Sequence, residues 1–209
     1  MPRYSDKGRR RRNAGRKSNK GKKLIVWLVL AAIFAAAVIV IAVNLNSKSA
    51  DDLRKVSYPR GYSEYVDKAA KEYELDPALI YAVIRTESGF DPDAESAVGA
   101  RGVMQMMPSS FEWLMEQRGE SGKYTSDDLF DPGVCIDYGC YLLKYFYDYY
   151  GTEQCAVAAY NAGFAVGDWL KDPNCSSDGV TLDVIPYPET SEYVERVESA
   201  KKAYTELYY

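Results

Sequence analysis

The stretch Glu87-Ser88-Gly89-Phe90-Asp91-Pro92 places an acid at the end of an apolar segment, with a glycine two residues later. Upstream of it, Ile80, Val83 and Ile84 recur at offsets of three and four, which is the spacing of one face of a helix. The next position on that face is Glu87. The pattern therefore predicts a helix that carries one carboxyl group along its core-facing side to the wall of a cleft.

This placement has a chemical consequence for Glu87. Burial disfavours the charged form of a carboxyl group, and the negative end of the helix dipole acts in the same direction, so both raise its pKa. A carboxylic acid that stays protonated near neutral pH is what a general acid requires. The alternative is an ordinary glutamate that extends into solvent from a helix end, and this helix alone does not separate the two.

Composition narrows the possible chemistry. The chain contains no histidine, which excludes Ser-His-Asp and Cys-His mechanisms and argues against a zinc site. Its four cysteines lack metal-site spacing, and three pairings are possible if an exported domain oxidises them. We prefer one bridge that involves Cys175, in a predicted loop, while buried or partly free thiols remain equally open. The cysteines are Cys135, Cys140, Cys155 and Cys175.

Residues 24–43 form a run of 20 residues without a charge. A helix of that length rises about 30 Å, the thickness of a bilayer core. Residues 1–23 hold eleven Lys and Arg against one acid, so the positive-inside rule predicts a basic cytoplasmic tail, a retained signal anchor in the bacterial cytoplasmic membrane and an extracytoplasmic remainder. A cleaved signal peptide is the alternative, but its apolar region is usually about 7–15 residues and residues 44–48 make a poor cleavage site.

The rest of the chain has the opposite charge. Beyond residue 23 there are 15 basic and 29 acidic residues, a net charge of −14. An acidic domain is poorly suited to polyanions, and the basic tail lies on the other side of the predicted membrane, so nucleic acid is not expected as a partner. Residues 44–57 are interpreted as a polar stalk, and residues 58–209 are long enough for one domain with a core of its own.

Capping signals and apolar spacing divide that domain into helices. Asp76-Pro77 and Asp131-Pro132 each predict an N-cap followed by proline at the first helical position. Strand-like alternation is absent, so the fold class is mainly α, with loops at 89–107, 119–130 and 171–188. The predicted helices are Ser63–Glu74, Pro77–Ser88, Pro108–Arg118, Pro132–Tyr150, Glu153–Ala162 and Glu189–Leu207.

Four blocks of sequence, taken in order, resemble the lytic transglycosylase domain of the soluble transglycosylase type, which is related in fold to goose-type lysozyme. The resemblance implies a lysozyme-like helical domain that cuts the glycan strand of peptidoglycan between N-acetylmuramic acid and N-acetylglucosamine. The blocks are the stretch from Glu87 to Pro92, the stretch from Ser96 to Pro108, Ala159-Tyr160-Asn161-Ala162-Gly163, and Ile185-Pro186-Tyr187-Pro188-Glu189-Thr190 followed by Tyr193-Val194.

The mechanism that this resemblance implies uses one carboxyl group, no metal and no cofactor. Glu87 would protonate the leaving glycosidic oxygen, and the acetamido oxygen of the substrate would stabilise the anomeric carbon. Glu87 would then take the proton of the 6-hydroxyl, which closes a 1,6-anhydro ring. The resemblance also assigns to Tyr160 a role in stabilising the charged sugar, although a core tyrosine is the structural alternative.

The resemblance implies substrate-binding roles for six further residues, and each has a structural alternative. The alternatives are a turn for Ser96, core packing for Met104, and loop bracing or helix capping for Gln105 and Asn161. Glu189 is the candidate second acid, unless it only complements the helix dipole. Aromatic rings, including Phe90 and Tyr193, are candidates for stacking on sugars. The six residues are Ser96, Met104, Gln105, Asn161, Tyr187 and Glu189.

One departure from the family pattern falls after Asp131-Pro132, where the family usually has asparagine-isoleucine and this chain has Cys135-Ile136. The change leaves in doubt the local bracing that the asparagine would supply, not the catalytic acid. Two other functions remain open at this stage. One is a hydrolytic muramidase on the same fold, and the other is an inactive wall-binding scaffold. The sequence indicates no particular protein partner.

Overall fold

The computed structural model describes residues 20–209, and within the N-terminal helix it describes the side chains of residues 28, 33–43 and 51–57. The basic tail predicted for residues 1–23 therefore lies outside the described side chains. The chain divides into one unit that ends at Asp51 and a second unit, Asp52–Tyr209. Helix α1, Lys20–Ser57, contains the end of the first unit and the beginning of the second.

Among the side chains described, no helix is long and apolar enough to cross a membrane. The span predicted over residues 24–43 includes residues 24–27 and 29–32, which lie outside that description. The membrane-spanning segment thus remains a prediction.

The second unit is mainly α-helical, as predicted. After α1 it contains seven α-helices and one short 3₁₀ helix, Ser126–Phe130, in the part of the chain described. The six predicted helices are all present with ends within two residues of expectation. The helices are α2 (Ser63–Tyr73), α3 (Pro77–Glu87), α4 (Pro108–Gln117), α5 (Pro132–Tyr150), α6 (Glu153–Ala162), α7 (Ala165–Trp169) and α8 (Pro188–Tyr208).

The two predicted Asp-Pro caps are confirmed. The Asp76 side chain accepts a hydrogen bond from the backbone N–H of Ala78 at 2.8 Å. The Asp131 side chain accepts from Gly133 at 2.7 Å and from Val134 at 3.1 Å. Each aspartate satisfies N–H groups that have no partner within the helix, and the proline that follows needs none.

Helix α3 lies at the centre of the second unit. All seven residues from Ala78 to Ile84 are buried, so the helix is enclosed on every side and not only along the predicted face. It packs mainly against α8, while α5 packs against α2 and α6. Enclosure ends at the last turn of α3, which brings Glu87 to the boundary between core and solvent.

The cysteines do not form the bridge that we preferred. All four are free thiols, and all four are buried. The Cys155 thiol donates to the carbonyl oxygen of Val180 at 3.4 Å. Cys175 instead ties its loop through its backbone, since its carbonyl accepts from the N–H groups of Asp183 and Val184. The prediction of a disulfide through Cys175 is therefore wrong for this structure.

Candidate active site

Glu87 lies at the last position of α3 and is partly buried. The Tyr193 hydroxyl, from α8, donates a hydrogen bond to Oε1 of Glu87 at 2.7 Å. Burial raises the pKa of Glu87 to about 7, and the Tyr193 hydrogen bond and the positive charge of Arg196 oppose that rise. The carboxyl group is thus divided between its two protonation states near neutral pH.

Tyr160, on α6, is the second aromatic hydroxyl near the acid. It donates a hydrogen bond to the backbone carbonyl of Met104 at 2.9 Å. Burial raises its pKa well above the ordinary value, and the negative charge of Glu87 adds to the rise. Tyr160 therefore remains a neutral phenol near Glu87 whose one O–H is donated to Met104, and its oxygen keeps lone pairs for a positively charged group or a donor.

The Met104 backbone matters here more than its side chain. The side chain is fully buried, and a Cβ added at Gly139 of α5 would lie 2.5 Å from its sulfur. Glycine at 139 thus lets the methionine pack closely on α5. The structure favours the core-packing alternative for the Met104 side chain, while its carbonyl connects the loop at 89–107 to Tyr160.

Cys135 braces the same loop at the position where the sequence departs from the family pattern. Its sulfur accepts from the Met104 N–H at 3.4 Å and its thiol donates to the Arg101 carbonyl at 3.7 Å. Burial raises the pKa of Cys135 to about 12, and the negative charge of Glu87 contributes. The thiol therefore stays neutral and supplies bracing that the sequence left in doubt.

Ser96 and Gln105 both hold the loop at 89–107 together. The Ser96 hydroxyl accepts from the Ala100 N–H at 2.9 Å, which fits the turn alternative. The Gln105 amide nitrogen donates to the carbonyls of Ala94 and Gly102, each at 3.0 Å. Gln105 has a positive φ of 46°, an uncommon conformation that these two bonds help to maintain. Its amide oxygen accepts no hydrogen bond within the described part of the chain and can contact a ligand.

The predicted residues of α6 and α8 meet beside Tyr160. The Asn161 side-chain oxygen accepts a hydrogen bond from the hydroxyl of Thr190, which is buried, at 2.7 Å. Asn161 itself is exposed, as is Glu189 in the first turn of α8. Tyr187 is also exposed and packs edge-on against Trp169, with ring centroids 4.9 Å apart. These polar and aromatic groups therefore lie at the surface, where a long ligand could reach them.

Two aromatic side chains differ from the sequence-based expectation. Tyr193 is buried, so its ring is closed to a sugar, and its hydroxyl contacts Glu87 instead. Phe90 packs against Tyr62 and Tyr81. Sequence reasoning missed the role of Tyr193 because 106 positions separate it from Glu87. One pattern in the sequence did predict burial of Tyr193. The apolar Val194 follows it directly, and the apolar Val197 lies four residues further along the same helix.

Within the described part of the chain, no cluster of three or more His, Cys, Asp or Glu residues is placed to hold a metal ion. Among the described side chains, those that interact with Glu87 through a hydrogen bond or through charge include two phenols, a thiol and a guanidinium. Such a set can donate hydrogen bonds and adjust the pKa of one acid.

Comparison with known proteins gives one family. The family model described as "Transglycosylase SLT domain" matches residues 64–178. The soluble lytic murein transglycosylase of Escherichia coli K12 is 32% identical over 143 residues, which is 67% of this chain and 22% of that protein. The membrane-bound lytic murein transglycosylase C of Actinobacillus succinogenes is 33% identical over 113 residues, 50% of this chain and 32% of that one.

Solved structures agree with these sequence matches. The crystal structure of the 70 kDa soluble lytic transglycosylase of Escherichia coli superposes with a TM-score of 0.66 at 27% identity, over 73% of this chain and 25% of that one. An inactive Glu-to-Gln mutant of the lytic transglycosylase Slt from Pseudomonas aeruginosa gives a TM-score of 0.64 at 32% identity, with the same coverage. The region matched is thus about a quarter of these longer proteins.

Proposed function

Because the chain belongs to the transglycosylase SLT family, we propose that it is a lytic transglycosylase. Its substrate is the glycan strand of peptidoglycan, and the bond cut is MurNAc-β-1,4-GlcNAc. The observation that carries the proposal is the state of Glu87, an acid at the boundary of the core whose pKa is raised to about 7. Such a group can both give and accept a proton at neutral pH.

The proton movements use Glu87 twice. The protonated acid donates to the glycosidic oxygen as the bond between that oxygen and the anomeric carbon breaks. The acetamido oxygen of the muramic acid stabilises the anomeric carbon, and the Tyr160 hydroxyl supports the polar transition state. Glu87, now a carboxylate, takes the proton of the 6-hydroxyl, whose oxygen bonds to the anomeric carbon. Glu87 ends the cycle protonated, and no water is consumed.

The remaining predicted residues bind the strand. The exposed side chains of Asn161, Tyr187 and Glu189 contact sugars beside Glu87, and the loop braced by Ser96 and Gln105 forms the opposite wall. Met104 contributes through its carbonyl, which holds Tyr160. These assignments are supported by the exposure of the first three residues and by the hydrogen bonds of the loop.

We also propose that residues 24–43 anchor the enzyme in the cytoplasmic membrane with the catalytic domain outside. The uncharged run and the basic tail support this topology. All the described side chains of the run are exposed, among them Ile33, Phe34 and Ile39, and a helix that exposes apolar groups needs an apolar surrounding. Some relatives are named membrane-bound.

Product analysis tests the reaction. Mass spectrometry of digested peptidoglycan is expected to show 1,6-anhydromuramic ends. Hydrolysis would instead give reducing ends heavier by one water, about 18 Da, and would assign the muramidase reaction. We expect Glu87→Gln to lower the cleavage rate by at least about 10²–10⁴-fold, the usual contribution of one acid–base group, while strand binding persists. A wild-type protein that binds strands without cutting them would indicate the inactive scaffold.

A further inference from the structure

The turn that follows Glu87 is strained. Gly89 and Phe90 both have a positive φ, 62° and 72° respectively. Glycine adopts this conformation freely, whereas in a bulky residue it costs roughly 1–2 kcal/mol and persists only where the surroundings enforce it. Because the turn begins directly after Glu87, the contacts that hold Phe90 also bear on the end of α3. The proposed mechanism gives no role to Phe90.

Phe90 is held by the segment that joins α1 to α2. The Tyr62 hydroxyl donates a hydrogen bond to the Phe90 carbonyl at 3.2 Å. The two rings stack, with centroids 6.5 Å apart and an angle of 24° between their planes. A Cβ added at Gly61 would lie 2.9 Å from Cδ1 of Phe90, and its three nearest atoms would all belong to that ring. Tyr62 and Gly61 therefore fix both the backbone and the ring of Phe90.

The segment that carries Tyr62 is itself anchored to two helices. Tyr62 is the N-cap of α2, and its carbonyl accepts the N–H groups of Tyr65 and Val66, each at 3.0 Å. Nearby, the Pro59 carbonyl accepts a hydrogen bond from the Tyr204 hydroxyl of α8 at 2.9 Å. With one attachment to α2 and one to α8, the segment gives the strained turn a fixed support.

Ser88 connects the strained turn to the loop at 89–107. Its hydroxyl donates to the Val103 carbonyl at 2.9 Å and accepts from the Phe90 N–H at 3.1 Å. Val103 directly precedes Met104, whose carbonyl accepts the hydroxyl of Tyr160. A displacement of Phe90 would therefore move both the end of α3 and the loop that holds Tyr160.

We propose that Tyr62 is a positioning residue for Glu87. By holding the strained turn at Phe90, it keeps the carboxyl group at the boundary of the core, within hydrogen-bond distance of Tyr193. The inference rests on the proposed function, because it adds a residue to the machinery of that reaction. Tyr62 precedes residues 64–178, which the family model matches, so the match itself assigns it no role.

Loss of this support should expose Glu87. Without it, Phe90 can relax to an unstrained φ and the last turn of α3 loosens. Burial is the main cause that raises the pKa of Glu87 to about 7, so exposure should lower that pKa toward the ordinary value of 4.5. The other groups that act on its charge are unaltered. Among the described side chains they include Tyr193 and Arg196 of α8, Tyr160 of α6 and Cys135 of α5.

Two variants of the full chain weaken the support in different ways. Tyr62→Phe keeps the ring and loses the hydrogen bond to the Phe90 carbonyl. Gly61→Ala keeps that bond and pushes on the Phe90 ring, and it adds no backbone strain because Gly61 does not have a positive φ. Circular dichroism and thermal melting verify that both variants fold.

Each variant has a matched control. Tyr73→Phe also removes a phenol hydroxyl from an end of α2, since Tyr73 is the last residue of that helix and donates to Asp137 at 2.5 Å. Gly167→Ala also places a methyl group beside an aromatic side chain, but at 3.5 Å from the Tyr150 hydroxyl, an ordinary contact distance. Gly167, like Gly61, does not have a positive φ.

We expect Tyr62→Phe and Gly61→Ala to lower kcat about 5–10-fold, less than the loss of about 10²-fold that a displacement of 1 Å can cause, with KM for glycan strands little changed. The alkaline decline of kcat should move to lower pH in both. The controls should keep the kcat and the pH profile of the wild type, although Tyr73→Phe should melt at a lower temperature. If kcat falls as far in Tyr73→Phe as in Tyr62→Phe, activity follows stability and the inference is wrong.

A direct titration of Glu87 keeps this result separate from the proposed function. The carboxyl carbon of Glu87 is followed against pH by carbon-13 NMR of the full chain in detergent, and its signal is the one that Glu87→Gln lacks. We expect the pKa to fall by about 0.5 or more in Tyr62→Phe and Gly61→Ala, and to stay constant in both controls. An unchanged or higher pKa in Tyr62→Phe overturns the inference even if the enzyme is active. An inactive wild type with the expected pKa changes would contradict only the proposed reaction.

Discussion

At Glu87, two neighbours act against the effect of burial. The low-polarity surroundings raise the pKa of the carboxyl group, while the hydrogen bond from Tyr193 and the charge of Arg196 favour its ionised form. The value of about 7 is the result of this opposition. A general acid that must also act as a base is served best by a pKa near the working pH, so removing either influence should displace the pH dependence of the rate.

Tyr193→Phe tests the influence of the hydrogen bond. The variant loses the bond that favours the carboxylate, so the pKa of Glu87 rises and the acid stays protonated to higher pH. The decline of kcat on the alkaline side should therefore move to higher pH in Tyr193→Phe. Tyr204→Phe is the control, because Tyr204 is a buried tyrosine on the same helix whose hydroxyl donates to the Pro59 carbonyl instead. If kcat declines at the same alkaline pH in the wild type, Tyr193→Phe and Tyr204→Phe, this account of Tyr193 is wrong.

Glu87→Gln should make stability less dependent on pH. The folded-state pKa of Glu87, about 7, lies above the ordinary glutamate value of 4.5, so the folded chain binds more protons than the unfolded chain between these values. The free energy of unfolding of the wild type then falls as pH rises through this window. Glutamine cannot ionise, and its advantage over glutamate should grow between pH 4 and pH 8, to roughly 3 kcal/mol at most.

Urea unfolding at both pH values measures this difference between Glu87→Gln and the wild type. All other titrating groups are common to the two proteins and cancel in the comparison. If the difference in the free energy of unfolding between the two proteins stays constant from pH 4 to pH 8, the pKa of Glu87 is not raised by folding. A growing difference would show that the protein gives up stability to keep this acid in its place, as functional sites often do.

Sequence reasoning predicted the acid but not its environment. The face formed by Ile80, Val83 and Ile84 is local, within one helix, and it placed Glu87 at the core boundary. Tyr193 contacts Glu87 from 106 positions away, and only the packing of α3 against α8 brings the two together. The same limit applies to Cys135, whose thiol contacts the loop 31 to 34 positions earlier.

At the scale of elements, prediction succeeded for the helices of ten or more residues, which are long enough to show an apolar period. The helix α7 and the 3₁₀ helix Ser126–Phe130 were missed because each has only five residues, too few for a periodic pattern. The loop at 89–107 was predicted as a loop, but its bracing was not. Arg101 connects it to the 3₁₀ helix through hydrogen bonds to Ser126 and Asp127 at 3.0 and 2.8 Å.

Gly102 sets how closely that loop packs. It has a φ of +73°, and a Cβ there would lie 2.0 Å from the carbonyl oxygen of Leu129 and 2.9 Å from the sulfur of Cys135. Gly102→Ala therefore combines an unfavourable conformation with a collision against rigid backbone. We expect it to lower the free energy of unfolding by roughly 2–4 kcal/mol, and to reduce activity because the Met104 carbonyl that holds Tyr160 is displaced.

Gly122→Ala is the matched control for Gly102→Ala. Gly122 has nearly the same φ, +76°, but nothing lies within 4 Å of an added Cβ. Gly122→Ala should lower the free energy of unfolding by only about 1 kcal/mol, from the backbone conformation alone, and should retain activity. Denaturant unfolding and cleavage assays give both quantities. Equal losses for the two alanine variants would mean that the contact with Leu129 yields easily and does not position the loop.

At the scale of the whole molecule, charge and hydropathy change together along the chain. A strongly basic stretch, an uncharged run of 20 residues and an acidic remainder follow one another. A single globular domain needs no such order, whereas a protein inserted in a membrane does, because basic residues stay inside and the run matches the bilayer. The compact unit Asp52–Tyr209 contains every residue of the candidate site, so anchoring and chemistry should be separable.

Their separation is testable with two changes in the run. The double variant Ile33→Arg, Val38→Arg places two charges near the centre of the run at 24–43. Each arginine there adds about 2.5–3.5 kcal/mol to the free energy of membrane insertion. We expect the wild type to remain with membranes through an alkaline carbonate wash and the double variant to be released, while the purified proteins give the same anhydro products from solubilised strands. Alanine at the same two positions keeps the run apolar and should behave as the wild type.

The intact mass of the membrane-bound protein decides between the two interpretations of the run. A signal anchor retains residues 1–23 in that mass, whereas a cleaved signal peptide removes them together with the run. Release of the wild type by carbonate would contradict anchoring by residues 24–43 in either case.

If the mass is intact and the wash leaves the protein in place, a tether at residue 43 confines the catalytic unit to strands within reach of the membrane surface. Release of the unit by protease between the run and Asp52 should then extend cleavage to strands beyond that reach.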